Sequence, residues 1–308
     1  MRRSTLVVCL VGAWLLTLGA VHRARAESVL LVGNSFIYGH GTAVRSFHAQ
    51  RVTDLNHEGI GGVPALLAQF LVDVGHPMDV ALETHPGADL DWHWREKRAV
   101  VTEHPYDFIV LQSYSTLDAK VPGDATALIA STAKWVEAFK ARSPQVRLYL
   151  VATWSRPDLT FPPGQHWSGQ PITQMALDVR HGVDQAARAG VGVVPVGEAF
   201  NLAMASRVAI DNPYVPQNPS LMNLWGEDHY HASAEGYYLE ALMIFETLTH
   251  RRATDLGEAE CAAYELGISP QHVRQLQQVA TQTALNAGLS LGDEQTTAAP
   301  PKPHGCPE

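Results

Sequence analysis

Three short stretches of this chain carry residue types suited to nucleophilic chemistry. Ser35 stands in Gly33-Asn34-Ser35-Phe36, directly after the apolar run at 28–32. A serine at a strand end has its hydroxyl lifted onto the rim of a sheet. Its peptide N–H then faces the cleft, where it can bind an oxyanion. Asp228 and His231 form an Asp-x-x-His pair near the far end of the body. Serine chemistry needs an imidazole to take the hydroxyl proton and a carboxylate to fix the tautomer of that imidazole. A three-residue spacing can aim both side chains at one pocket. Taken singly, each stretch has an ordinary explanation, a βα turn with a capping serine or a surface loop with a solvated histidine. Together they carry more weight, because a doubly wound sheet brings these two parts of the chain to the same edge.

The elements that must position them follow from hydrophobic patterning. Residues 28–32, 80–82, 108–111, 146–152 and 191–196 are short apolar, branched runs suited to buried strands. Residues 63–74, 125–141, 172–189 and 233–248 have helical spacing, the last with Ser233 as its expected N-cap. Strands alternating with helices of this length imply parallel βαβ crossovers. The expected fold class is therefore α/β, a three-layer α/β/α domain around a doubly wound, mostly parallel five-stranded sheet. It would occupy 27–255, with a helical extension over 256–288 and a flexible tail over 289–308. The loops after the strands then hold His85-Pro86-Gly87-Ala88-Asp89, Gln112-Ser113-Tyr114-Ser115 and Asp228-His229-Tyr230-His231.

With these blocks in view, the sequence resembles the SGNH (GDSL-like) hydrolases over most of 28–250. Gly33-Asn34-Ser35 is similar to their Gly-Asp-Ser block, with Asn for Asp, and Asp228-x-x-His231 to their Asp-x-x-His block. The resemblance implies a flavodoxin-like fold, with Ser35 as nucleophile, His231 as general base and Asp228 as its orienter. It also implies an oxyanion hole from the Ser35 and Gly87 backbone N–H groups. The family's Gly-x-Asn-Asp block has no counterpart, since Leu111-Gln112-Ser113-Tyr114 holds neither Gly nor Asn. The Gln112 amide, one methylene longer, is expected to replace the missing Asn donor, or else to bond locally. Asn34 is expected to hold the turn and to lie beside the substrate. The activity implied is hydrolysis of an ester, with O-acetylated carbohydrate as the preferred class. A fold of this kind that binds a glycan without turnover is the competing reading.

Other chemistries fit less well. Fifteen histidines invite a metal reading around Asp228, His229 and His231, but there is no H-E-x-x-H and no paired Cys-x-x-Cys. No metal and no organic cofactor are expected. The glycines at 190 and 192 precede a strand, whereas a dinucleotide loop must follow one. Trp92, Trp154 and Trp167 fall in or beside the strand-end loops and are expected to line the substrate site, against the plainer reading that most of them are buried.

Residues 1–26 read as a signal peptide: Arg2 and Arg3, an apolar stretch over 5–21, then Ala24-Arg25-Ala26. Cleavage after Ala26 predicts a periplasmic or secreted protein without a stable membrane span. It removes four arginines and no acid, taking the formal charge from −9 to −13. A chain that acidic repels a phosphate backbone, so nucleic acid is excluded as a partner, leaving a small-molecule or glycan ester. Cys261 and Cys306 then remain, free or joined in a disulfide.

Overall fold

A computed structural model describes residues 26–188, 190–216 and 218–293. The leader, apart from Ala26, and Cys306 lie outside the described residues. Within them the strands are β1 (Ser28–Gly33), β2 (Thr53–Asp54), β3 (Asp79–Thr84), β4 (Phe108–Leu111), β5 (Arg147–Val151) and β6 (Gly192–Val194). They form one parallel sheet in the order β2-β3-β1-β4-β5-β6. This is the doubly wound sheet expected, with six strands instead of five. The sixth, β2, is a two-residue edge strand pairing with Ala81 and Leu82, too short to show any periodicity.

The helices are α1 (Gly62–Asp73), α2 (Leu90–Glu96), α3 (Arg98–Val101), α4 (Thr126–Arg142), α5 (Pro157–Thr160), α6 (Thr173–Ala187), α7 (Val196–Ala205), α8 (Ala234–Thr249), α9 (Cys261–Glu265) and α10 (Pro270–Asn286). β1 lies mid-sheet, and all six of its residues are buried. That explains its unbroken apolar run. Val29 and Leu31 enter the core beneath α1, α7, α8 and α10, while Leu30 and Val32 enter the one beneath α4 and α6. Each such side chain contributes about 1.5–3 kcal/mol by leaving water. The result is three layers, with the strand carboxyl ends opening onto a single rim.

Two expectations need correction. β6 stops at Val194, because Pro195 caps a new helix, α7, where an extended run to 196 was expected. The chain after 289 is not a loose tail over its described part. Leu289 and Leu291 pack on the main core, and Gly292 N–H donates to the His250 carbonyl at 2.8 Å. α9 and α10 share that core through Ala262, Val273, Leu276 and Ala280. Cys261, at the start of α9, is disulfide-bonded, with its partner outside the described residues. No helix among the described residues is long and apolar enough to cross a membrane.

Candidate active site

The turn after β1 is held by amide chemistry. Asn34 Nδ2 donates to the Ala88 carbonyl at 2.8 Å and to the Ser113 carbonyl at 3.2 Å, and its Oδ1 accepts the Phe36 N–H. One buried side chain thus ties the loops after β1, β3 and β4. An aspartate would lack the two donated bonds, which gives Asn at this position a physical reason. Its whole amide is engaged and it is 3% exposed, so the expectation that it also contacts substrate is corrected.

Gln112 is likewise spent on the fold. Its Oε1 accepts the Asn34 N–H at 3.0 Å, its Nε2 donates to the Ser113 carbonyl, and it is fully buried. The local-bonding alternative describes it, and the oxyanion-donor expectation does not. Gly33 permits this approach: a Cβ there would fall 2.8 Å from Gln112 Oε1 and 2.6 Å from Ile37 Cγ1. The Ser35 and Gly87 N–H groups, by contrast, have no acceptor among the described residues. Gly87 sits at φ +66° facing open space, a left-handed conformation that glycine adopts without strain.

Ser35 Oγ and His231 Nε2 are 2.9 Å apart, although the residues are 196 positions apart in sequence. His231 Nδ1 lies 2.6 Å from Asp228 Oδ2. Asp228 Oδ1 accepts the N–H groups of Tyr230 and His231 at 3.0 and 2.9 Å, which fixes the carboxylate on its own loop. That loop is closed by the Gly226 N–H to the His231 carbonyl at 2.8 Å and turns through His229 at φ +53°, a costly conformation for a non-glycine. The sequence brings together what its spacing suggested: serine, imidazole and carboxylate in file.

Burial raises the Asp228 carboxyl, but the bonds it accepts from the His231 side chain and the two amides outweigh that and hold it below its ordinary value. His231 is pulled below its ordinary value chiefly by burial, with His40 and Arg156 acting the same way and Asp228 opposing them. The neutral imidazole, the form able to accept a proton, is thereby favoured.

Several neighbours of the imidazole were not visible in the sequence. His231 is flanked by the rings of Tyr230, with centroids 4.0 Å apart, and His40, at 4.2 Å. Arg156 Cζ lies 3.5 Å from the Tyr230 ring centroid, its charge met by Asp158 at 2.6 Å. Tyr237, on α8, donates from its hydroxyl to the Ser35 carbonyl at 3.1 Å. One nitrogen each from His40 and His231 and an oxygen of Asp228 lie within 4.8 Å of one another, a donor set able to hold a metal ion in which His40 stands where His229 was considered. The signal for His40 was its place in the turn that follows the nucleophile, which composition alone does not single out.

The tryptophans divide. Trp154 and Trp167 are fully buried, so neither offers a surface to substrate, and both expectations are corrected. Trp154 stacks on Phe36 at 4.2 Å and donates its indole N–H to the Tyr230 carbonyl at 3.2 Å. Trp167 bonds Asp178 at 2.8 Å. Trp92 is partly exposed and stacks on His85 at 4.0 Å, within reach of the Gly87 loop. Tyr214 and Phe161, 45% and 36% exposed, form a ring pair beside His229.

No protein-family model matches the chain, and no curated protein matches it by sequence. Solved structures do match. A DUF4886 family protein from Bacteroides uniformis aligns at 19% identity and TM-score 0.56, covering 86% of this chain and 97% of that one. A candidate GDSL-like lipase from Parabacteroides merdae aligns at 15% and 0.53, covering 73% and 96%. An acetylxylan esterase from Geobacillus stearothermophilus aligns at 14% and 0.50, covering 73% and 95%. Likeness at such identities speaks for architecture, and on that ground this chain has the fold of the SGNH (GDSL-like) hydrolases.

Proposed function

We propose that the protein is an exported serine ester hydrolase that works through an acyl-enzyme. The observation carrying this reading is the unbroken relay from Ser35 Oγ through both nitrogens of His231 to Asp228. Ser35 attacks the ester carbonyl while His231 Nε2 takes the hydroxyl proton, and Asp228 stabilises the imidazolium formed. The tetrahedral oxyanion is met by the Ser35 and Gly87 N–H groups, which have no acceptor among the described residues. Collapse expels the alcohol, which takes the proton from His231. Water, activated by the same imidazole, then attacks the acyl-serine and releases the acid.

A short acyl ester on a carbohydrate is the substrate class favoured. The partly exposed rings of Trp92, Tyr214 and Phe161 suit sugar faces, and an acetylxylan esterase shares the architecture. A second reading has its own support. With Gln112 engaged, its amide adds nothing to the two backbone donors, and one missing donor costs roughly 2.7–4 kcal/mol of transition-state stabilisation in a comparable enzyme. A slow enzyme, or a glycan-binding protein without turnover, would follow. Labelling by a fluorophosphonate decides the matter. Covalent modification at Ser35, with a burst of p-nitrophenol from p-nitrophenyl acetate that Ser35→Ala abolishes, is the expected result. A protein that binds acetylated glycans yet neither labels nor bursts supports the second reading.

A further inference from the structure

We infer that His40, Asp228 and His231 form a binding site for a divalent zinc-type cation, and that occupancy of this site switches the hydrolase off. His40 has no part in the relay. Its backbone belongs to the nucleophile turn, with its N–H donating to the Ser35 carbonyl at 3.3 Å, and its ring lies over His231. One donor atom from each of the three residues falls within a 4.8 Å span.

Tetrahedral zinc with bonds of 2.0–2.1 Å holds its ligands ~3.3 Å apart, so closing the set needs a shift of about 1.5 Å at most. His40 is the member placed to make it: among the described residues its ring nitrogens make a single hydrogen bond, from Nδ1 to the Tyr38 hydroxyl at 3.3 Å, and its ring otherwise rests against those of Tyr38 and His231. Three protein ligands leave a fourth position open, the pattern of accessible zinc sites. Two imidazoles and a carboxylate select zinc, copper or nickel over magnesium or calcium, which prefer oxygen. The nearby Arg156 does not repel a cation at full strength, because Asp158 pairs with it.

The consequence for catalysis follows from the lone pairs of His231. A cation on Nε2 takes the electron pair that should receive the serine proton. A cation on Nδ1 displaces the Asp228 bond and forces the proton onto Nε2, which then donates where it must accept. Either way the base is lost, and chelation restores it. The inhibitory half of the inference rests on the esterase reading, whereas binding itself does not.

The test separates the two. Zinc chloride titrated calorimetrically into the Ser35→Ala protein should bind at one site per chain, with magnesium chloride giving no heat. Adding His40→Gln, or Asp228→Asn as an independent ligand removal, should weaken binding at least tenfold. In the wild type, zinc should suppress p-nitrophenyl acetate hydrolysis and EDTA restore it. His40→Gln alone should resist zinc, its rate with zinc staying close to its own metal-free rate, whatever that rate is. Absence of zinc binding, or affinity unchanged in both ligand variants, overturns the site. Binding as expected without inhibition of a hydrolysing wild type overturns the switch. A wild type that never hydrolyses the ester refutes the esterase reading and the switch, while calorimetry still decides the site.

Discussion

Asp228 accepts three hydrogen bonds, and only one of them serves the imidazole. The other two come from backbone amides of its own loop, so the carboxylate stays aimed even when the imidazole moves. Asp228→Asn keeps the size but lets His231 adopt the wrong tautomer, and kcat is expected to fall about 10⁴-fold, the scale seen for the same change in a serine protease triad. Steady-state kinetics on p-nitrophenyl acetate checks it. The pH dependence follows from His231. Its value is pulled below 6.5, so the neutral, active form persists into mild acid. The kcat/KM profile should fall toward acid as the base is protonated, with its half-maximum below pH 6.5. A half-maximum at or above 6.5 contradicts that. These three residues were legible in sequence because strand-end placement and local spacing define them. Gln112 and Trp154 were not. Whether an amide or an indole faces the cleft depends on which neighbour claims it, and here Asn34 claims the one and Tyr230 the other.

At the level of elements, the site depends on how three loops are tied together. Asn34→Ala removes the donors to Ala88 and Ser113 and leaves the buried Ala88 carbonyl unpaired, the Ser113 carbonyl keeping its bond from Gln112, which should cost about 1–3 kcal/mol of stability. A lowered urea midpoint would show it. Behind the Gly87 loop, buried Glu83 on β3 meets buried His93 on α2, and Asp89 caps α2 through the Trp92 N–H at 2.7 Å. His93→Leu leaves one oxygen of the buried Glu83 carboxyl without its partner, the other keeping its bond from Asn56, and should destabilise by about 1–3 kcal/mol. The same urea titration measures it. The Asn34 ties were invisible in sequence, since they join residues 54 and 79 positions apart. The long helices α1, α4, α6 and α8 and the longer strands were visible because burial repeats along them. α7 escaped because its first residues, Val196 and Gly197, continue the apolar run of β6 and offer no polar cap.

For the molecule as a whole, the helical extension does more than cover a face. Glu246 on α8 bonds Thr281 of α10 and the Ala253 N–H, while Glu260 caps α9. Burial pushes both carboxyls up from 4.5 to about 7. The folded state therefore holds protons that the unfolded chain releases near 4.5. The contribution is fully present below that value and is lost as pH rises through about 7. Thermal unfolding should show Tm decreasing from pH 5 to pH 8, with Glu246→Gln flattening part of the slope. Stability and activity then run in opposite directions with pH, since His231 works best when deprotonated.

Trp154 carries a consequence of its own. Its ring stacks on both Phe36 and Phe200, and its N–H reaches the loop of the base. Nucleophile and base are thus bolted to one keel beneath the rim. Warming cannot loosen one partner while sparing the other, so hydrolysis and indole emission should melt along a single curve, with no warm, folded but idle form between them.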